Sequence, residues 1–487
     1  MKFSTIFVAL IPLVLASFTK ALDNGLALTP QMGWNTWNSY GCNINENIIL
    51  DAAKAIKAEG LDKFGYNYVV IDDCWQADQR DPETKVIPAD PKKFPRGLKA
   101  VVDEINALGL KAGIYSSAGT MTCGHHIGSL DYEEIDAKAW AEDGFEYLKY
   151  DNCFNEGREG TSQLSRDRYF AMTNALNKTG QPMIYSLCQW GMDAVENWAP
   201  TIGNSWRISG DIYPSFNRYD DRCPCEDMQN CKLPGFHCSV AKILEFAAPL
   251  GQKAYPGAWN DLDMLEVGNK GMTRDEQIVH FTMWSMVKSP LIMGNVVTAM
   301  TNQTRAILTN KHVIDISQDV ASSPAIRLWK RKVEDSGGDG NVQLWKSSLS
   351  NGTYAVAVIN FSNKEQKVKV SFEDVFLDEY LSEGDHGDRA WDAYDLWQGV
   401  DFETYSAETR ELQPLEGGPF KEELPELTIR PHALKVFKMA PEGTKGLGTS
   451  PEELERRSLE EKRLVMMGRA KEWQEKREER RRDTKGL

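Results

Sequence analysis

The chain reads as a parallel (β/α)8 barrel followed by an antiparallel β-sandwich, and three observations predict it. Between Leu28 and Val297, eight short apolar runs alternate with helix-patterned segments. These runs do not alternate apolar with polar, which suits strands buried on both faces. After Ser317 the texture changes to short β-prone segments separated by Gly, Asn and Asp turns, the pattern of a sandwich. Acids stand at or near the ends of several barrel runs, Asp151 and Asp211 among them. In a β/α barrel, residues at the C-terminal ends of the strands face the active site.

Taken in order, the chain begins with Lys2, an apolar run from Ile6 to Leu15, and Thr19-Lys20-Ala21. This predicts a secretory signal over residues 1–21, cleaved near Ala21 and too short to span a bilayer. The barrel is expected over residues 22–316. Its strand candidates are Gln31–Trp37, Tyr66–Asp73, Lys111–Ala118, Tyr147–Cys153, Pro182–Cys188, Ser205–Asp211, Ala254–Asn260 and Leu291–Val296, with helical patterns between them such as Glu46–Glu59 and Pro95–Ala107. The sandwich is expected over residues 317–440, with strands at Ile326–Val333, Asn341–Ser347, Thr353–Asn360, Lys367–Ser371 and Ala433–Met439. A packing role for it outweighs a carbohydrate-binding one. The tail, residues 441–487, is dense in Glu, Arg and Lys and reads as a solvated helix or a disordered segment without an assigned function.

Composition narrows the function. A formal charge of −15 argues against nucleic acid and anionic membranes, which reward a basic surface. A neutral substrate fits better. Fourteen Trp and sixteen Tyr suit sugar binding, although aromatics more often fill cores. Nine cysteines in a secreted chain predict disulfides and one odd thiol. Sequons at Asn177, Asn302, Asn351 and Asn360 fit the same route.

Two carboxylates facing one cavity are what glycoside hydrolysis requires, about 5–5.5 Å apart in retaining enzymes. Lys149 stands two residues before Asp151 and projects to the same side of its strand. Its ammonium is expected to favour the ionised, nucleophilic form of Asp151. Asp211 follows Ser209-Gly210 and is placed to face the leaving oxygen, and Arg207 can bind a hydroxyl or hold a carboxylate. The adjacent acids Asp72-Asp73 can accept several hydrogen bonds from sugar hydroxyls, or share a metal with Asp261 and Asp263. His125-His126 lacks an evident third ligand, and there is no His-x-x-x-His spacing, EF-hand pattern, Gly-x-Ser-x-Gly elbow, phosphate loop or dinucleotide fingerprint.

Six longer runs carry a resemblance. They are residues 28–38 (LTPQMGWNTWN), 71–75 (IDDCW), 108–116 (LGLKAGIYS), 147–153 (YLKYDNC), 259–264 (WNDLDM) and 289–294 (SPLIMG). Through them the chain resembles the glycoside hydrolase family of α-galactosidases (melibiases), which also contains α-N-acetylgalactosaminidases, and it looks most like the secreted yeast and fungal members. The resemblance spans the barrel and continues into the sandwich, ending near Pro441.

Carried over to these positions, the resemblance implies that Asp151 is the nucleophile and Asp211 the general acid/base of a retaining exo-glycosidase that needs no metal or organic cofactor. It places Trp37, Asp72, Asp73, Tyr115, Lys149, Arg207 and Asp263 around the galactose, with Gln252 beside them. It also implies disulfides Cys42–Cys74, Cys123–Cys153, Cys223–Cys238 and Cys225–Cys231, leaving Cys188 unpaired. Three positions depart from common family patterns: Gln189 where many relatives have an acid, Leu262 for a proline, and Val296 for an aspartate. Acetamido-accepting members use small residues after strand five, whereas Gln189 and Trp190 are bulky, which favours galactose over N-acetylgalactosamine. The expected partner is an α-galactoside oligosaccharide or polysaccharide, with no nucleic acid or membrane partner and with homo-oligomerisation left open. The rivals are an α-N-acetylgalactosaminidase and a non-catalytic galactose-binding protein.

Overall fold

The structure, a computed structural model, describes residues 22, 24–224, 237–320, 322–335, 340–376, 389–405 and 410–443. The expected signal at residues 1–21, Cys225, Cys231 and the tail beyond residue 443 lie outside them. The barrel strands are β1 (Met32–Asn35), β2 (Tyr68–Ile71), β3 (Lys111–Ser117), β4 (Tyr147–Asp151), β5 (Ile184–Cys188), β6 (Ser205–Arg207), β7 (Trp259–Asp261) and β8 (Leu291–Met293). All pair in parallel, in the order β7-β6-β5-β4-β3-β2-β1-β8. The ring closes beyond β7, where Leu265 bridges Met293: the Leu265 N–H donates to the Ile292 carbonyl and Gly294 N–H to Leu265 O. Val69, Ile71, Ala112, Ile114, Leu148, Tyr150 and Leu187 are all buried, as strands covered on both faces require.

Helices return the chain along the outside, and their starts follow local chemistry. Asn45, Thr161 and Ser239 each cap a first turn through a side-chain oxygen, and Thr273 with Glu276 forms a full capping box at Arg274–Met286.

Two strands differ from expectation. β6 ends at Arg207, so Asp211 stands on the loop that follows; the Arg207 guanidinium bonds the Ser209 carbonyl and turns the chain there. β7 begins only at Trp259. Pro256 and Gly257, at φ +93°, make a tight turn in which Tyr255 and Ala258 exchange backbone hydrogen bonds.

The C-terminal part adds β9 (Ile326–Lys332), β10 (Asn341–Ser348), β11 (Tyr354–Asn360), β12 (Gln366–Val368), β13 (Trp391–Asp395), β14 (Leu427–Ile429) and β15 (Leu434–Pro441). Five form an antiparallel sheet in the order β13-β15-β11-β10-β9, and β12 pairs with β14. β13 and β14 were absent from the sequence reading: β14 has only three residues, and Asp392 and Asp395 interrupt β13. β11 is buried throughout for a physical reason. Tyr354, Val356 and Val358 face the sandwich core, while Ala355, Ala357 and Ile359 pack with the barrel's core. The sheet is thereby bound to the barrel along its centre.

Asn360, at the end of β11, is fully buried, and its Nδ2 donates to the carbonyls of Lys364, Ile429 and Arg430 at 2.8, 3.1 and 3.1 Å. The expected glycan there is corrected, because the nitrogen that would carry it is already committed. Asn177, Asn302 and Asn351 are exposed.

Candidate active site

The C-terminal ends of the strands and their loops enclose a cavity of about 920 Å³. Trp37, Asp72, Asp73, Tyr115, Lys149, Asp151, Trp190, Arg207, Asp211 and Asp263 all line it. Two expected residues do not. Gln189 is fully buried, with neither amide atom partnered. Gln252 is exposed on the turn before β7, at the opposite end of the strands. Bulk on this wall of the cavity therefore comes from Trp190, not from Gln189.

Asp151 is the last residue of β4 and is 6% exposed. Tyr115 on β3 donates its hydroxyl to Asp151 Oδ2 at 2.7 Å, and Asn152 N–H donates to Oδ1 at 2.9 Å. Burial pushes the Asp151 carboxyl up to about 6, against the lowering effect of Lys149, and Asp211 raises it further. Lys149 favours the ionised form as expected, but the cost of burial outweighs it. Lys149 Nζ bonds Asp72 Oδ2 at 2.8 Å, and Asn35 Nδ2 donates to the same oxygen at 2.6 Å.

Asp73 accepts from Gly124 N–H at 2.7 Å and Cys74 N–H at 2.7 Å, and burial raises its carboxyl above the usual range. A Cβ at Gly124 would stand 2.9 Å from Asp73 Oδ2, so only glycine permits this approach. The loops here are braced by Cys42–Cys74 and Cys123–Cys153, and a third bridge, Cys223–Cys238, lies behind Asp211. Cys188 is free and buried.

Opposite Asp151, the buried Arg207 offers one Nη2 to two acids, Asp211 Oδ1 at 3.0 Å and Asp263 Oδ2 at 2.9 Å. Asp263 also accepts from Ile212 N–H and Met264 N–H at 2.8 Å each. Its backbone is left-handed at φ +76°, as is that of Trp190 at +67°, a strain of about 1–3 kcal/mol each that clusters at functional sites. The Asp211 side chain is 44% exposed and open to proton exchange with solvent. Asp72 and Asp263 each face a protein cation, so the alternative of a metal shared among the four acids is replaced by two ion pairs. Among the described residues, the one group of three metal-type side chains is Cys42, Cys74 and His126, whose cysteines are bridged to each other.

Glu266, Tyr213 and His237, which the sequence does not single out, also line the cavity, and Asp261, offered above only as a metal ligand, stands beside Asp263. Glu266 lines the cavity, accepts from Asn38 Nδ2 at 2.6 Å, and is pushed up to about 7 by burial. Asp261 accepts the Asp263 N–H at 2.8 Å and is raised to about 6 by burial. Tyr213 and His237 stack 4.7 Å apart on the wall beyond Asp211. An isolated acid after a strand gives no signal that separates such support from substrate contact.

Residues 29–319 match the family model described as alpha galactosidase A, and residues 339–439 match that of the alpha galactosidase C-terminal beta sandwich domain. The chain is 50% identical over 375 residues to an alpha-galactosidase of Schizosaccharomyces pombe, covering 77% of this chain and 84% of that one. It is 48% identical over 377 residues to an alpha-galactosidase of Lachancea cidri, covering 77% and 80%. Among solved structures, alpha-galactosidase I of Mortierella vinacea superposes with a TM-score of 0.78 at 51% identity, covering 86% of this chain and 98% of that one. The Saccharomyces cerevisiae alpha-galactosidase with raffinose does so at 0.79 and 39% identity, covering 86% and 99%.

Proposed function

The chain belongs to the α-galactosidase (melibiase) family, and on that premise we propose that it is a secreted, retaining exo-α-galactosidase. It releases terminal, non-reducing α-galactose from melibiose, raffinose-type oligosaccharides and galactomannan side chains. The observation that carries the reading is that Asp151 and Asp211 enter one cavity in two different environments, one buried and one open to solvent.

Asp151, ionised above about pH 6, attacks the anomeric carbon, with Tyr115 holding one oxygen so that the other points at the sugar. Asp211 protonates the departing oxygen. It then takes a proton from the water that hydrolyses the galactosyl-enzyme, so both steps proceed with inversion and the outcome is retention. Asp72 and Asp73 accept hydrogen bonds from the sugar hydroxyls, and Lys149 fixes Asp72 through a buried ion pair. Arg207 and Asp263 hold Asp211 toward the leaving group. Trp37 and Trp190 supply apolar wall, and Trp190 crowds a 2-acetamido group. The raffinose bound by the S. cerevisiae relative supports the oligosaccharide class. The signal-like segment and three disulfides support secretion.

The test is hydrolysis of the p-nitrophenyl α-galactoside and α-N-acetylgalactosaminide by purified protein and by Asp151→Ala and Asp211→Ala. Turnover of the galactoside alone, abolished in the first variant, is the expected result. Turnover of the acetamido sugar would reassign the substrate. Galactose binding without turnover would make the chain a binding protein.

A further inference from the structure

The segment that carries Asp211 is pinned at nearly every residue up to Asn217. Asp211 O accepts from Cys238 N–H at 2.8 Å, and Ile212 N–H is held by Asp263. Tyr213 N–H donates to Cys238 O at 3.0 Å, and Ser215 O and Phe216 O accept from Val240 and Ala241 at 3.0 and 2.8 Å. All these partners belong to the barrel. The side chains of the last two residues, Phe216 and Asn217, are held by the C-terminal domain.

Phe216 is 3% exposed, and its ring is stacked on Phe361 with centroids 5.3 Å apart and planes 12° apart. The other neighbour of the ring is His432, 5.0 Å away. His432 Nε2 meets Asn217 Nδ2 at 3.3 Å, and its Nδ1 meets Glu276 Oε1 at 2.7 Å. A carboxylate at Nδ1 keeps the proton there, so Nε2 accepts from Asn217. Glu276 is itself fixed, as the capping-box residue of the helix Arg274–Met286. His432 reaches this position with a left-handed backbone, φ +53°, a conformation that costs free energy and needs a compensating contact. One imidazole thus joins the barrel helix, the Asp211 segment and the β-domain.

We propose that the C-terminal β-domain takes part in catalysis, with His432 and Phe361 as positioning residues that clamp the segment bearing the acid/base Asp211. The inference rests on the reading of Asp211 as acid/base. Neither side chain touches the sugar. Removing the hold on the Phe216 ring leaves the far end of a seven-residue segment to its backbone bonds alone, while its near end must place one carboxyl within hydrogen-bond reach of the leaving oxygen, and misplacement on the order of 1 Å is costly there.

A positioning role differs from a structural one in its dependence on the leaving group. A dinitrophenolate departs without a proton, whereas the sugar alkoxide of melibiose needs one. The experiment compares kcat/KM on 2,4-dinitrophenyl α-galactoside and on melibiose for the wild type, His432→Asn, Phe361→Leu and Asp211→Asn. Asparagine tolerates the left-handed backbone and removes the ring, and Phe361→Leu removes the flat stack while keeping apolar volume. Thermal unfolding confirms that each variant is folded. In both clamp variants kcat/KM on melibiose should fall about tenfold, part of the 10²–10⁴ that acid catalysis supplies, with less than about twofold loss on the activated substrate. Equal losses on both substrates, or no loss on melibiose in folded protein, would overturn the clamp. Asp211→Asn separates the two readings. If it shows no leaving-group dependence, the acid/base assignment fails and the clamp falls with it; if it alone shows the dependence, only the clamp fails.

Discussion

Replacing the buried Asp151 by Asn should make the protein more stable at neutral pH while removing its activity. Burial raises the Asp151 carboxyl from 3.8 to about 6, which means the fold prefers that group protonated. At about 1.36 kcal/mol per unit, a raise of roughly two units puts the cost of holding the ionised form near 3 kcal/mol. The sign follows from proton counting. Below 3.8 the carboxyl is protonated folded or unfolded, and its contribution to stability is fully present. As pH rises through 6 the folded state loses its proton and that contribution is lost. Asparagine cannot ionise, so the stability of Asp151→Asn relative to wild type should climb by about 2–3 kcal/mol between pH 4 and pH 8. The pH-independent cost of fitting an amide to the Tyr115 and Asn152 donors cancels in that difference. Urea unfolding of both proteins at the two pH values measures it. A difference that is flat with pH, or that falls, would refute the claim that the fold strains to ionise this acid.

Other outcomes follow from the same contacts. Tyr115→Phe removes the hydroxyl that favours the charged Asp151. A hydrogen bond to a charged group is worth about 1.5–3 kcal/mol, so the acidic limb of kcat/KM should move up from about 6 by about one to two pH units. A pH–rate profile checks the shift, and an unmoved limb contradicts it. Asn360→Ala takes the donor from the buried Ile429 carbonyl and the part-buried Lys364 and Arg430 carbonyls and should destabilise by about 2 kcal/mol, read by urea unfolding. Glycopeptide mapping of the protein expressed through a eukaryotic secretory route should find Asn360 unmodified.

The barrel was legible because its physics repeats. Runs such as Tyr68–Ile71 are apolar because both faces are covered, and the acids at the ends of β2 and β4, Asp72, Asp73 and Asp151, fall on a single rim. Strand length was less legible, since Ser205–Arg207 looks from sequence as though it continues to Asp211, and the stop comes from Arg207 folding back onto Ser209. The direct partner of Lys149 was not legible for a related reason. Period-two spacing aligns it with Asp151 along one strand, but the nearest acid lies on the neighbouring strand's end, at Asp72. Asn360 carries a valid sequon, and only tertiary structure reveals that three carbonyls enclose its nitrogen. Gln252 was drawn to the site by resemblance alone and lies at the opposite end of the strands. The link from His432 to Phe216 joins residues more than 200 positions apart, and no local pattern in either segment announces it.

The central claim is that Asp151 forms the covalent bond to galactose. Its most direct test is to trap that bond with a fluorinated α-galactosyl fluoride that slows hydrolysis of the intermediate, followed by mass spectrometry of the intact protein and its peptides. The account predicts one fluorogalactosyl adduct per chain, on the peptide containing Asp151, and none in Asp151→Ala. An adduct on Asp211 or any other residue, or rapid galactoside turnover with no adduct at all, would contradict it.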